Sequence, residues 1–349
     1  MRPLAARWAM ATRLGGVTVV ASSTRASRGA RFSVARFSVA RCLVALVALA
    51  ASVSAGCATR HSASPPPGAS LHAGTRAIAI DWAGDHRSYL LHRPAGAGAS
   101  ARPPLVVVLH GASLTDAQTE RYYHWDDVAD ADGFAVAYPQ GIDKAWNAGS
   151  CCGSAPNRGT DDVGFVGAVI GDAAARSGAD LDRLYLTGVS NGAMMTLRYA
   201  CERPGGLGAI GSVAGTFTAP CDHPPAVAFI AIHGLADRVV SFSPGEGTLD
   251  SGAGMRLPAL ESVGRMLVAD ACHDPVTTTA GAVHTEAATC APGEDVKVIT
   301  IDGAGHQWPG ATLDARRAAE DGPDNQPSTA LDATRQLWAF FSSHQRVSR

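Results

Sequence analysis

The most constraining feature of the sequence is the stretch Leu184-Tyr185-Leu186-Thr187-Gly188-Val189-Ser190-Asn191-Gly192. It starts as a largely apolar run typical of a buried strand and ends in Gly-x-Ser-x-Gly, the pattern of a serine held on a tight turn between a strand and a helix. Glycines are needed there because side chains beside the serine would collide. In a chain with 38 glycines the motif also arises by chance, so the surrounding residues must decide its meaning.

Apolar runs and helical segments alternate along the rest of the chain. Parallel strands are predicted at 105–109, 134–138, 184–187, 209–213, 227–232 and 296–301, and an antiparallel pair at 77–80 and 88–92. Helices are predicted at 116–129, 163–176, 193–201, 256–271 and 328–343, with a loop at 309–327. This alternation predicts an α/β fold with an open, mostly parallel sheet and helices on both faces.

Three residues that follow predicted strands have the chemistry of a nucleophilic site. A serine hydroxyl becomes a nucleophile only when a base takes its proton and an acid orients that base. Asp237 follows an apolar strand downstream of Ser190, and of the four later histidines only His306 lies one short loop beyond such a strand. We therefore predict Ser190 as the nucleophile, His306 as the base and Asp237 as the acid, although aspartate is also common in turns.

Backbone donors for a developing oxyanion are expected at two places. One is the N–H of Asn191, at the start of the helix that follows the serine. The other lies in the loop after the strand at 105–109, where Ala112 is the first choice and Ser113 the next. His110, in the same loop, is predicted to have a structural role.

Several motifs together resemble a known group of enzymes, the secreted α/β-hydrolases of the polyhydroxybutyrate depolymerase and feruloyl or acetylxylan esterase type, including esterase lipoproteins. The matching segments are Val-Val-Leu-His-Gly (107–111), Tyr-Pro-Gln-Gly (138–141), Trp-Asn (146–147), Cys-Cys-Gly (151–153), Asp-Asp-Val-Gly-Phe (161–165), Gly-Val-Ser-Asn-Gly (188–192), His-Gly-x-x-Asp (233–237) and Gly-His-Gln-Trp-Pro-Gly (305–310). Many relatives have Cys where this chain has Ala112. The resemblance implies an α/β-hydrolase catalytic domain over 76–345 that hydrolyses carboxylic esters through an acyl-enzyme, without metal or cofactor.

The resemblance leaves the substrate open. We expect a small or oligomeric ester, such as a hydroxyalkanoate or hydroxycinnamoyl ester, because no appended domain for binding solid polymer is visible. Trp146 and Trp308 either line an acyl pocket or pack their own loops. The alternative functions are a serine peptidase on the same fold and a non-catalytic, ligand-binding surface lipoprotein. The complete Ser-Asp-His set argues against the second, and the lack of room for a propeller or lid domain argues against the first.

The N-terminal region has the composition of an export signal. Residues 1–41 contain eight arginines and neither lysine nor acid, and an apolar run follows from 42 to 56. This run is shorter than the roughly 20 residues of a transmembrane helix and has the length of the apolar part of a secretory signal. An arginine-rich, acid-free start also occurs in transit peptides. We predict a signal peptide over 1–57 and a flexible linker over 58–75.

The end of the signal predicts where the mature chain begins. Ser54-Ala55-Gly56-Cys57 resembles a bacterial lipobox, in which the cysteine is lipidated, although Ser54 stands where Leu is usual. Lipidation of Cys57 and ordinary cleavage near Ala55 are the two alternatives. Both place the domain outside the cytoplasm, either secreted or attached to a membrane through lipid.

The six cysteines of the predicted domain indicate disulfides, because an even number is typical of exported domains. Cys201 with Cys221 and Cys272 with Cys290 would each close a short loop, which leaves Cys151 and Cys152 bonded to each other or paired elsewhere. A metal site is not predicted, since there is no Cys-x-x-Cys. A net charge of −2 and the lack of a basic stripe after residue 60 argue against a nucleic-acid partner, and the oligomeric state stays open.

Overall fold

The centre of the fold is a parallel sheet of short, buried strands. In the computed structural model, residues 74–94, 102–244 and 257–346 are described, and they belong to one compact unit. The parallel strands are β3 (Leu105–Leu109), β4 (Ala135–Pro139), β5 (Leu184–Val189), β6 (Ala209–Val213), β7 (Ala228–Gly234) and β10 (Val296–Ile301). They lie in the order β4-β3-β5-β6-β7-β10. Every residue of β3 to β7 is buried, as expected of strands covered on both faces.

Antiparallel strands extend the sheet at both edges to a total of ten. β1 (Gly74–Trp82) pairs with β2 (Asp85–Arg93), which pairs with β4. At the other edge β8 (His273–Ala280) pairs with β9 (Val283–Thr289), which pairs with β10. The first pair confirms the sequence prediction. The second was not predicted, because β8 is almost wholly exposed and has no apolar alternation.

Helices flank the sheet. Their bounds are α1 (Asp116–Tyr123), α2 (Trp125–Asp132), α3 (Ala155–Arg158), α4 (Asp162–Ser177), α5 (Asn191–Glu202), α6 (Ala259–Ala269), α7 (Ala315–Asp321) and α8 (Ala333–Phe341). None of them, within the ranges that the structure describes, has the length and apolar character needed to cross a membrane.

Two apolar clusters show that helices cover both faces of the sheet. One cluster contains Val107 of β3 together with buried side chains of α4, α5 and α6. The other contains the neighbouring Val106 with buried side chains of α1, α2 and α8. Because successive side chains of a strand point to opposite faces, the two clusters lie on opposite sides of β3. The predicted α/β architecture, an open and mostly parallel sheet with helices on both faces, is confirmed.

Several helix boundaries differ from the predictions for local reasons. The predicted helix 116–129 is divided at His124, whose φ of 57° is left-handed. The predicted loop 309–327 contains α7, which starts where the Asp314 side chain accepts the Arg317 N–H. The closing helix starts at Ala333 instead of 328 because Asp332 is its cap. The helix predicted from 163 starts one residue earlier, at Asp162, where the Asp161 side chain caps it by accepting the Gly164 N–H.

Three disulfides join the six cysteines of the domain. Cys201–Cys221 links the end of α5 to the loop after β6, and Cys272–Cys290 closes the base of the β8–β9 hairpin. Both predicted pairings are confirmed. Cys151 and Cys152 are bonded to each other, which decides between the two alternatives for this pair. Cys57, the signal peptide and residues 58–73 of the linker lie outside the described residues.

The disulfides predict the thiol content and stability of the domain. Denatured, non-reduced protein should incorporate no alkylating agent at the six cysteines, as measured by peptide mass spectrometry.

The double variant Cys272→Ser/Cys290→Ser should lose about 3 kcal/mol of unfolding free energy in urea, because the bridge restricts the unfolded chain. Alkylation of any of the six cysteines in denatured, non-reduced wild-type protein would contradict the pairing.

Candidate active site

Ser190 lies on a strained turn between β5 and α5. Its backbone angles are φ 54° and ψ −121°, a region that residues other than glycine rarely occupy and that is frequent at functional sites. The turn is held on both sides, since the Ser190 N–H donates to the Val213 carbonyl at 2.9 Å and its carbonyl accepts the Met194 N–H at 2.9 Å. The serine side chain is half-buried.

Two glycines let this turn approach the end of β3. A Cβ atom on Gly192 would lie 2.3 Å from the Leu109 carbonyl oxygen and 2.5 Å from that of His110. A Cβ atom on Gly188 would lie 2.7 Å from the same Leu109 oxygen. The glycines that were predicted from the motif are therefore required by backbone contact. The result is that Ser190 lies beside the loop that follows β3.

The structure brings Ser190, His306 and Asp237 together at the carboxyl edge of the sheet. They follow β5, β10 and β7, which run parallel to one another through β6. His306 Nε2 lies 2.7 Å from Ser190 Oγ, and His306 Nδ1 lies 2.7 Å from Asp237 Oδ2. The imidazole is 12% exposed and the carboxylate is fully buried. One side of the imidazole therefore faces the hydroxyl and the other side faces the acid.

The Asp237 carboxylate is surrounded by hydrogen-bond donors. Oδ1 accepts the backbone N–H groups of Val239 and Val240 at 2.8 and 2.9 Å. Oδ2 faces His306 and also lies 3.3 Å from Nε2 of His233. Burial raises the pKa of the Asp237 carboxyl, but the hydrogen bonds from His233 and His306 outweigh it and hold that pKa well below its ordinary value. The group is therefore an ionised acceptor.

The two predicted oxyanion donors are both available. Among the described residues, neither the Ala112 N–H nor the Asn191 N–H donates to an acceptor of the protein. The Ser113 N–H, the other choice, donates to the Lys144 carbonyl at 2.9 Å. A Cβ atom on Gly111 would lie 3.7 Å from Ser190 Cβ, so this loop lies next to the serine. The geometry favours Ala112 over Ser113.

His110 is placed as a structural residue. It is fully buried; Nε2 accepts the Gly141 N–H at 2.9 Å, so Nδ1 donates to the Gly111 carbonyl at 2.8 Å. Burial lowers the pKa of His110 to about 4. The neutral imidazole fixes the loop, and neither nitrogen is free to move a proton.

The structure corrects the interpretation of Trp146 and Trp308 as acyl-pocket residues. Both indoles are fully buried, so neither has a surface that a substrate could contact. Trp146 Nε1 donates to the His110 carbonyl at 2.8 Å. Trp308 Nε1 donates to Thr334 Oγ1 at 3.1 Å, and its ring stacks on Tyr123 with centroids 4.5 Å apart. Each tryptophan packs its loop, which is the alternative that the sequence left open.

The arrangement has the parts needed for acyl transfer. An imidazole can take the proton of the hydroxyl, a buried carboxylate can stabilise the resulting imidazolium, and backbone N–H groups can stabilise an oxyanion. In the described part of the chain, no group of three or more His, Cys, Asp or Glu side chains is placed to hold a metal ion.

Comparisons with known proteins agree with this chemistry. A family model described as Esterase PHB depolymerase matches residues 87–246. The chain is 33% identical over 278 residues to "Putative esterase NocK" of Nocardia uniformis subsp. tsuyamanensis, covering 73% of this chain and 80% of that protein. It is 28% identical over 167 residues to "Probable feruloyl esterase C" of Aspergillus terreus, covering 46% of this chain and 58% of the relative.

A solved structure shows the same fold. The acetyl xylan esterase from Aspergillus awamori aligns with a TM-score of 0.52 at 14% sequence identity, covering 76% of this chain and 99% of that chain. At this identity the likeness concerns the fold alone.

The glycine contacts predict a large effect from one methyl group. Gly192→Ala should lower the unfolding free energy by about 3 kcal/mol in urea, because the methyl group would overlap two carbonyl oxygens. Gly171→Ala is the control: this helical glycine has nothing within 4 Å of its Cβ position, so the change should stabilise by about 0.5–1 kcal/mol. Equal effects of the two changes would show that the turn does not contact β3 closely.

Proposed function

Because this chain belongs to the Esterase PHB depolymerase family and is a carboxylic ester hydrolase, we propose that it is an extracytoplasmic serine esterase that works through Ser190, His306 and Asp237. The observation that carries the proposal is the pair of hydrogen bonds that the His306 imidazole makes. Nε2 lies 2.7 Å from the Ser190 hydroxyl oxygen, and Nδ1 lies 2.7 Å from the Asp237 carboxylate. No other histidine of the described residues has a serine hydroxyl on one nitrogen and a buried carboxylate on the other.

In the first half of the reaction Ser190 Oγ attacks the ester carbonyl carbon while His306 Nε2 takes the hydroxyl proton. The carbonyl oxygen becomes an oxyanion and accepts hydrogen bonds from the Ala112 and Asn191 N–H groups. When the intermediate collapses, the C–O bond to the alcohol breaks and His306 gives its proton to the leaving oxygen. An acyl group then remains on Ser190.

In the second half a water molecule attacks the acyl carbon and His306 takes its proton. The collapse of this intermediate returns the proton to Ser190 and releases the carboxylic acid. Asp237 keeps its charge throughout, because its pKa is held below the ordinary value. It holds the N–H on Nδ1 of His306, which leaves Nε2 free to accept the serine proton.

The substrate class and the location are part of the proposal. A hydroxyalkanoate or hydroxycinnamoyl ester, small or oligomeric, is supported by the family description and by the feruloyl esterase among the relatives. A location outside the cytoplasm is supported by the three disulfides. Export through residues 1–57, lipid attachment at Cys57 and a catalytic domain over 76–345 complete the proposal.

The nucleophile is tested by Ser190→Ala. Its kcat on p-nitrophenyl butyrate should fall by about 10⁶-fold, with an unchanged thermal midpoint, because among the described residues the hydroxyl has no hydrogen-bond partner other than His306. Wild type should cleave the ester and leave p-nitroanilide peptides intact. Activity above a few per cent in purified Ser190→Ala, or cleavage of the peptides alone, would contradict the proposal.

The acid is tested by Asp237→Asn. The amide favours the wrong imidazole tautomer, so kcat should fall by about 10⁴-fold with little change in KM. Asp302→Asn is the matched control, since Asp302 also follows a parallel strand, β10, and also binds a histidine, His284, but is half exposed; its kcat should equal that of wild type. An active Asp237→Asn variant would mean that another group orients His306.

A further inference from the structure

The segment Trp146-Asn147 connects the two elements that carry the oxyanion donors. Asn191, whose N–H is one donor, uses its side chain to bind Trp146 twice: Oδ1 accepts the Trp146 N–H at 2.7 Å, and Nδ2 donates to the Trp146 carbonyl at 3.0 Å. The indole Nε1 donates to the His110 carbonyl, two residues before the Ala112 donor. We call this segment the strap. The strap is therefore hydrogen-bonded to both elements that carry a donor.

The strap is held in turn by a buried ion pair. The Asn147 N–H donates to Asp162 Oδ2 at 2.7 Å, and Asp162 Oδ1 accepts from Arg87 Nη2 at 2.8 Å. The same Arg87 nitrogen donates to the Gln140 carbonyl at 3.1 Å. The side chains of Arg87 and Asp162 are 2% and 0% exposed. The pair therefore connects β2 and α4 to both ends of the segment 140–147.

Stability alone does not account for burying this pair. Removing two charges from water costs several kcal/mol per ion, and apolar residues of similar volume often serve as well. The desolvation is visible in both groups, since burial lowers the pKa of Arg87 and raises that of Asp162. Among the described residues, Arg87 Nε has no hydrogen-bond partner, and the guanidinium lies 3.6 Å above the Phe165 ring. Apolar residues could not hold the strap in a defined position as this pair does. The Asp162 carboxylate binds Arg87 through one oxygen and the Asn147 N–H through the other.

We propose that Arg87 and Asp162 are positioning residues for ester hydrolysis, which hold the strap so that the Ala112 and Asn191 N–H groups converge on one oxyanion. This inference rests on the proposed function. Neither residue touches the substrate. Their effect passes from Asp162 to Asn147, through Trp146, to Asn191 and to the His110 carbonyl.

The proposal predicts an effect on the transition state instead of on substrate binding. Asp162→Asn keeps the volume but replaces one acceptor oxygen by an NH₂ group, so either Arg87 or the Asn147 N–H loses its partner. A displaced strap leaves the donors present but misaligned. Loss of one oxyanion donor costs about 10²–10³-fold in kcat, and we expect misalignment to cost at least about 10-fold, with KM changed less than about threefold.

Asp172→Asn is the matched control. It is the same substitution on the same helix, and Asp172 also connects α4 to β2 by accepting Tyr89 Oη at 2.6 Å, besides Arg176 Nε at 2.7 Å. Within the described part of the chain, Asp172 makes no hydrogen bond to the strap. With p-nitrophenyl butyrate, Asp162→Asn should lower kcat and Asp172→Asn should not, each measured on protein that urea titration shows to be folded under the assay conditions. Equal kcat values for the two variants, or a rise in KM at constant kcat, would overturn the proposal.

A second pair of variants tests the strap without burying an unpaired charge, in case Asp162→Asn does not fold. Arg198 of α5 donates from Nη1 to the Asn147 carbonyl at 2.6 Å and from Nε to Glu202 at 2.7 Å. Arg198→Ala releases the strap, whereas Glu202→Ala removes only the ion pair. The first should lower kcat about 10-fold and the second should leave it unchanged; the same kcat in both would overturn the proposal.

The failure of this inference is separable from failure of the proposed function. If Ser190→Ala keeps full activity, the proposed nucleophile is wrong whatever the Asp162 variants do. If Ser190→Ala is inactive, the double variant Asp162→Asn/Asn191→Ala decides the route. Because both changes release the same strap, the combined loss in kcat should be smaller than the product of the single losses. A loss equal to the product would show that Asp162 does not act through Trp146 and Asn191.

Discussion

The contact between the turn at Ser190 and the end of β3 is the constraint on which the site depends. Gly192 lies so close to the Leu109 and His110 carbonyls that no side chain fits between them. This contact fixes the serine, and with it the start of α5, beside the loop 110–112. The neighbouring parallel strands then deliver Asp237 and His306 to the same edge of the sheet, as expected of open α/β sheets.

The pKa values of two buried carboxylates near this edge are shifted in opposite directions. Asp237 is bound by two backbone N–H groups and lies against two imidazoles, and its pKa is held below the ordinary value. Asp162 has one backbone N–H and one arginine, and burial raises its pKa. The first environment suits a group that must stay charged beside an imidazolium. The second suits a group whose two oxygens hold a loop in place.

The sequence predicted strand positions best where burial on both faces of the sheet requires a continuous apolar run. Strands 105–109, 209–213 and 296–301 were predicted at their observed bounds, since continuous apolar runs are typical of strands covered on both faces. The hairpin at 273–289 was missed because its exposed strand carries no such signal. The positions of Ser190, Asp237 and His306 followed from a serine, an acid and a histidine that each stand just beyond a predicted strand. The roles of Trp146, Arg87 and Asp162 did not, because which face of a loop an indole or a guanidinium meets depends on tertiary packing.

The central claim is that Ser190 is the nucleophile of this esterase, and site mapping of a covalent inhibitor tests it most directly. Intact protein should react with a fluorophosphonate until one equivalent is bound, and esterase activity should fall in proportion to labelling. Peptide mass spectrometry should place the whole adduct on Ser190. An adduct on any other residue that accompanies the loss of activity, or complete inactivation without a Ser190 adduct, would contradict the account.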